Sequence, residues 1–307
     1  MYHSIIITVI IVIKYSKYPL EHFNLRAFLR QTNYNEFTNC KGGSEVFLQL
    51  IENIGASSIR SLYSIGEALK FTSLCLIHMV NPRSYNPAMR MVLIKQVYFT
   101  AVTIIPLFLM MAFLFGSVII GAVIALATEY SLQESIGSII ITFVVDEFAP
   151  FFTALLISLR SGTAVNTEIA VMNVNEELNT LREYKINLIN YLFLPRIISG
   201  IISVTSLSIL FALIMLSSGY IFTLFYMNMD FHTYKQLLIS AIEVSDIIIL
   251  LLKSIAFGFV IMLIPIYSGL KTANSYTAIP ISVLNGMVKL FIALFFIEVL
   301  SLILQLL

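Results

Sequence analysis

Residues 136–181 read IGSIIITFVVDEFAPFFTALLISLRSGTAVNTEIAVMNVNEELNTL. A helix that crosses a hydrocarbon core about 30 Å thick takes about 20 predominantly apolar residues, and the run from Ile136 to Ile157 has that length. Two adjacent carboxylates, Asp146 and Glu147, sit near its middle, and Pro150 follows them. A charge at that depth costs about 2.5–3.5 kcal/mol on insertion scales, so the pair should face protein interior or a wet cavity rather than lipid. Pro150 lacks a backbone donor and crowds the preceding turn, which predicts a disruption of the helix there. Beyond Ile157 the chain turns polar, with Arg160, Glu168, Glu176 and Glu177.

Four further stretches have spanning length: Ile104–Ala127, Ile197–Phe225, Ile247–Tyr267 and Ile281–Leu307. Over all 307 residues, 59% are hydrophobic and 11% charged, with mean hydropathy +0.93. Soluble domains carry roughly a quarter charged residues, so an ordinary soluble domain is excluded, and a disordered chain with it. The balance of 18 basic and 17 acidic side chains, net +1, offers no broad basic surface to nucleic acid. The expected fold class is an all-α membrane protein with five transmembrane helices. Cys40 and Cys75 are too few for a disulfide framework, and His3, His22, His78 and His232 are scattered without metal spacing. No metal and no cofactor on this chain are expected.

Charge placement orients the spans. Residues 1–95 hold ten lysines and arginines, the connection 158–196 holds Arg160, Arg182, Lys185 and Arg196, and 269–280 holds Lys271. The connection 128–135 has none, and 226–246 has only Lys235. Positive residues favour the cytoplasmic side, which predicts a cytoplasmic N-terminus and a C-terminus outside. Lys253 and Lys289 fall within spans. Lys253 lies at a depth comparable to Asp146 and Glu147, a candidate partner for them, and an interhelical ion pair without a direct role is the alternative to a polar lining of a transport route.

The first 95 residues carry no span. Ser4–Ile13 is apolar but too short to cross, and Lys41-Gly-Gly-Ser44 reads as a linker. From 45 to about 80, Phe47, Leu50, Ile51, Ile54, Leu62, Ile65 and Leu69 recur at helical spacing opposite Glu45, Gln49, Glu52 and Glu67. That pattern predicts an amphipathic helix on the membrane surface, ended by the prolines at 82 and 87.

The stretch from Glu147 resembles the signature of the MlaE/YrbE permease family, E-x-x-P-x-x-x-A-L-L-x-A-x-R-x-G-x-A-x-x-A-E-x-x-x-M-x-x-x-E-Q-L. Glu147, Pro150, Ala154, Leu155, Leu156, Arg160, Gly162, Ala164, Glu168, Met172, Glu176 and Leu178 occupy its places. Pro195-Arg196, Asp246 with Lys253-Ser254, Phe257-Gly258, Tyr267 with Gly269-Leu270, and Gln96-Val-Tyr98 resemble further family elements. The likeness runs over residues 45–307, leaving 1–44 as an extension too short for the STAS-like domain that some relatives carry. Departures include Asp146 where many relatives have a basic residue, Glu177 where Gln is common, Asn274–Pro280 in place of a Gly-rich turn, the extra Lys289, and Glu298 for an Asp.

The resemblance implies the permease subunit of an ABC-type lipid transporter in a bacterial inner membrane. Its implied partners are a second copy of itself, an ABC ATPase that binds ATP and Mg, an MCE-domain periplasmic lipid-binding subunit and, in some systems, a STAS-domain subunit. The implied cargo is a phospholipid or related amphiphile. Asp146, Glu147, Pro150 and Lys253 are the substrate-cavity candidates. Residues 162–185 are the expected ATPase-coupling element. Gly162 would let the chain leave the second span, and Glu168, Met172, Glu176, Glu177 and Leu178 would lie along a short helix that fits a partner's groove, with Arg160 beside it. A solvated loop is the bland alternative. No G-x-x-x-x-G-K-[ST] phosphate loop is present, so ATP hydrolysis is expected elsewhere and this chain is not expected to be an enzyme. A secondary transporter of an amphipathic solute, with inverted repeats and broken helices, and a non-transporting scaffold are the competing functions.

Overall fold

Apolar runs of this length leave the backbone no polar partner but itself in lipid, and every element in the computed structural model, which describes residues 66–81, 85, 87–130, 135–227 and 230–306, is helical. The extension 1–44, the first part of the amphipathic pattern (45–65) and Pro82 lie outside the described residues. The described part of that pattern, residues 66–80, is a helix, α1. α2 (Pro87–Thr100) starts on its proline, whose missing donor costs nothing in a first turn. A tight turn at Val102–Ile104 joins it to α3 (Ile105–Glu129). α4 is one long rod, Ile136–Val174. The short α5 (Glu177–Glu183) follows, then α6 (Leu194–Met227), α7 (Phe231–Ala241), α8 (Val244–Leu270) and α9 (Ala278–Leu306). Among the described residues, five helices have the length and apolar composition to cross a membrane: Met89–Ala127, Ile136–Val174, Ile189–Leu224, Val244–Leu270 and Ala278–Gln305.

The second span carries the disruption expected at Pro150 and departs from expectation at Gly162. Pro150 does not break the helix; the backbone widens into a π-helical stretch over Thr142–Phe148, where Ala149 N–H donates to the carbonyl of Val144 five residues back. Such a stretch re-seats the chain around a proline, which then lies in the first turn of the α-helical segment Ala149–Ile157. Nor does Gly162 release the chain. It keeps right-handed dihedrals, and the helix passes through a second wide stretch, Ser158–Gly162, to Val174. A lone glycine weakens a helix without ending one.

α6 and α8 occupy the middle of the bundle, flanked by α3, α4 and α9. They meet where glycines face each other: a Cβ added to Gly258 would stand 2.6 Å from the Cα of Ile201. Without a hydrophobic drive between helices in lipid, such small residues set how closely backbones pack. Gly116 of α3 likewise faces α6, 2.6 Å by the same measure from the Cα of Met215. Gly116 of the first span therefore serves packing within the chain. At one end of the bundle α1 packs through Phe71 against Phe193 and Tyr267, each with ring centroids 5.8 Å apart, and Cys75 beside it is buried. Burial pushes that thiol up to about 11, so it stays protonated and unreactive at neutral pH. At the other end Tyr234 of α7 donates to the carbonyl of Leu216 at 2.8 Å.

Candidate functional site

The capping box of α8, in which Glu243 and Asp246 exchange side-chain and backbone hydrogen bonds, starts that helix in a register that points Lys253 into the bundle. Its ammonium carries three donors, and three acceptors meet them: Glu147 Oε2 at 2.5 Å, the main-chain carbonyl of Asp146 at 2.9 Å and Glu298 Oε1 at 3.2 Å. Pro150 supplies the physical reason for the second of these. A proline nitrogen has no hydrogen to give the carbonyl four residues earlier, and that carbonyl belongs to Asp146. The same residue that widens α4 thus leaves an acceptor open for α8.

The grouping both joins and separates the expected residues. Asp146, Glu147, Pro150 and Lys253 come together, yet Lys253 engages Asp146 only through its backbone. Its second carboxylate is Glu298 of α9, which sequence reasoning did not place here. A lone acid in an apolar span is by itself a signal of an interior partner, and that signal could have found it. Asp146 is 3% exposed. Among the described residues Asp146 Oδ1, Glu147 Oε1 and Glu298 Oε2 have no hydrogen-bond partner, so the cluster holds one cation against more acceptor capacity than that cation satisfies. Phenylalanines neighbour its residues along α4 and α9. Phe148 stacks on Phe152 at 5.2 Å and Phe115 meets Phe152 edge-on at 4.7 Å; Phe151 meets Phe295 of α9 at 5.4 Å. Polar groups at one point within apolar walls are what an amphiphile requires of a binding site.

The second set of candidates lies on the far part of α4 and on α5. Arg160 is exposed, while Gly162 is buried with Leu290 of α9 against it. Glu168 and Met172 ride on the continuous rod, not on a separate short helix. Glu168 accepts from Arg196 Nη2 at 2.6 Å, and that guanidinium is almost fully buried while the carboxylate is half exposed. Glu176 adopts a left-handed conformation (φ 59°) that turns the chain between the rod and α5. Glu177 takes a hydrogen bond from Asn175 Nδ2 at 3.2 Å, and Leu178 is buried in the core. Asn173 Nδ2 donates to the carbonyl of Thr272 at 2.9 Å, and Tyr276 donates to Asn175 Oδ1 at 2.6 Å. The rod is therefore tied to the α8–α9 connection, which in turn is closed by hydroxyls: Ser268 and Ser282 donate to each other's carbonyls at 3.0 Å, and Thr272 donates to Ser282 Oγ at 2.8 Å. None of these neutral contacts carries a sequence pattern. Among the described residues no group of histidines, cysteines and acids could hold a metal ion.

The sequence model of the family described as Permease MlaE matches residues 93–304. A probable ABC transporter permease protein of Rickettsia bellii is 27% identical over 224 residues, covering 73% of this chain and 85% of the relative. The intermembrane phospholipid transport system permease protein MlaE of Haemophilus influenzae is 24% identical over 225 residues with the same coverage of each. The chloroplastic protein TRIGALACTOSYLDIACYLGLYCEROL 1 of Arabidopsis thaliana is 26% identical over 169 residues, 55% of this chain and 48% of the relative.

Proposed function

This chain belongs to the MlaE permease family, and on that premise we propose that it is the membrane subunit of an ABC transporter that moves phospholipid, or a related amphiphile, between the inner and outer membranes of a bacterial envelope. The observation that carries the proposal is the charge cluster around Lys253, built inside a family-matching bundle from three helices. The names of its relatives in Rickettsia and Haemophilus support the ABC and phospholipid parts. The chain works as a homodimer in the inner membrane with its N-terminus in the cytoplasm, its C-terminus in the periplasm and an MCE-domain subunit on the periplasmic side. ATP and Mg bind a separate ATPase, since this chain carries no phosphate loop.

Coupling enters through residues 162–185. The ATPase docks on the exposed side of α5 and the end of α4, where Glu176 and Glu177 are accessible and Leu178 holds the element to the core. Because α4 is one rod from the cluster to this end, a displacement at the docking face reaches Glu147 and Pro150 without an intervening hinge loop. ATP binding then favours one of two cavity shapes, a shift of population that needs differential contact with only one of them. Purification of the tagged chain from its native membrane, with mass spectrometry of what accompanies it, tests the assignment. An ATPase subunit and bound phospholipid are expected. Reversal of charge at Glu176 and Glu177 should release the ATPase, and ATPase retention by that variant would overturn the docking assignment.

A further inference from the structure

Lys289 is the one charge that the transport reading leaves unused in the last span, and the structure places it on a cavity far from the Lys253 cluster. The cavity, about 270 Å³, lies between the end of α8 and the start of α9. Ser268, Lys271, Thr272, Ser282, Asn285 and Lys289 supply most of its polar lining, and among the described residues no acid lines it. Lys271 is committed to Glu67 of α1 at 2.7 Å. Ser268, Thr272 and Ser282 satisfy one another. Lys289 has no ion pair among the described residues, and Asn285, one helical turn earlier on the same face, makes no hydrogen bond among them. Both side chains are exposed. Beside them on α9, Leu284, Val288 and Ile292 are exposed apolar residues, and Ile281 lies at the cavity's edge.

We propose that this cavity binds the anionic phosphate headgroup of a membrane phospholipid, with Lys289 as its charged anchor, Asn285 as a neutral donor and the acyl chains lying along Leu284, Val288 and Ile292. A lysine on an apolar spanning helix requires an anion or water, and its long stem lets the ammonium reach the polar end of the bundle. The juxtaposition of a cation and an amide that have no partner among the described residues with an apolar strip has the polarity profile of an acidic lipid, which a free anion would use only in part. The inference is independent of which cargo crosses the bundle, because no residue of the cavity belongs to the Lys253 cluster.

The test returns the delipidated full chain to nanodiscs of phosphatidylcholine with and without phosphatidylglycerol and counts retained lipids by native mass spectrometry. Phosphatidylglycerol should be retained over phosphatidylcholine. Lys289→Ala should lower that preference about tenfold, the equivalent of one charge-assisted contact. Lys289→Arg should keep it, and Lys235→Ala at the other end of the bundle should leave it unchanged. Lys289 is exposed, so its replacement removes no core packing. Equal retention of both lipids, or no effect of Lys289→Ala, would overturn the proposal. Displacement of phosphatidylglycerol by inorganic phosphate alone would assign the cavity to the free anion instead. A loss of dimer with lipid retention unchanged would assign Lys289 to contact between copies.

Discussion

The Lys253 cluster and the Lys271–Glu67 pair use the same chemistry at opposite depths. The Lys253 side chain is 2% exposed, and its carboxylate partners Glu147 and Glu298 are 18% and 13% exposed. Lys271 and Glu67 are 44% and 42% exposed at 2.7 Å, and the lysine also stands 4.7 Å above the ring of Tyr267. The Glu67 hydrogen bond raises the pKa of Lys271, but water screens what the contact is worth. The cluster is withdrawn from solvent, so its charges are screened far less. A charged contact therefore becomes structural, and available to function, by depth and number of acceptors rather than by its length.

The contrast gives an ordered set of expectations. Lys253→Met should break it most severely, because it leaves the partly buried Glu147 and Glu298 without their cation. Loss of one partner of a buried pair costs about 3–5 kcal/mol, readable as reduced thermal stability in detergent at neutral pH. Adding Glu147→Gln should restore part of that stability, and a double variant no better than Lys253→Met would show that the carboxylate was not strained by the loss. Glu168→Gln comes next. It leaves the buried guanidinium of Arg196 with a weaker acceptor, and the cost, about 1–3 kcal/mol, should be measurable by the same unfolding assay. Pro150→Ala sharpens the comparison from the backbone side. The new N–H competes with Lys253 for the Asp146 carbonyl, and a net loss of about 1 kcal/mol is expected, comparable to one hydrogen bond. Lys271→Ala should cost less than about 1 kcal/mol, and added salt should shrink even that.

How far the sequence reaches is clearest along α4. Its position as a span and the inward demand of Asp146 and Glu147 are legible from hydropathy alone, because lipid imposes both. The grouping of Glu147, Pro150 and Lys253 is legible too, since each is an exception to an apolar pattern. Which atoms Lys253 chooses is not legible. That depends on the π-helical widening at Thr142–Phe148, which shifts every later side chain around the helix axis, and on a proline whose effect is exerted through a carbonyl four residues away. The continuation of the rod through Gly162 is hidden for a related reason. Glycine signals a helix end only when the chain needs a left-handed residue, and at this point the chain turns later, at Glu176. The hydroxyl and amide contacts that bind Asn173, Thr272 and Ser282 lack any periodicity and arise only once three helix ends meet.

The central claim is that the Lys253 cluster serves ATP-driven lipid transfer and is not only a packing device. It is tested most directly by reconstituting the full chain with its co-purified ATPase into liposomes and following the transfer of labelled phospholipid to acceptor vesicles. The Lys253→Met, Glu147→Gln variant removes the ion pair between α4 and α8 and leaves Glu298 in place, while keeping side-chain volume close to native, and its folded fraction is measured alongside. ATP-dependent transfer by the wild type, lost in the variant at equal folded fraction and equal ATPase association, is the predicted result. Transfer undiminished in the folded variant, or wild-type transfer indifferent to ATP, would contradict the account.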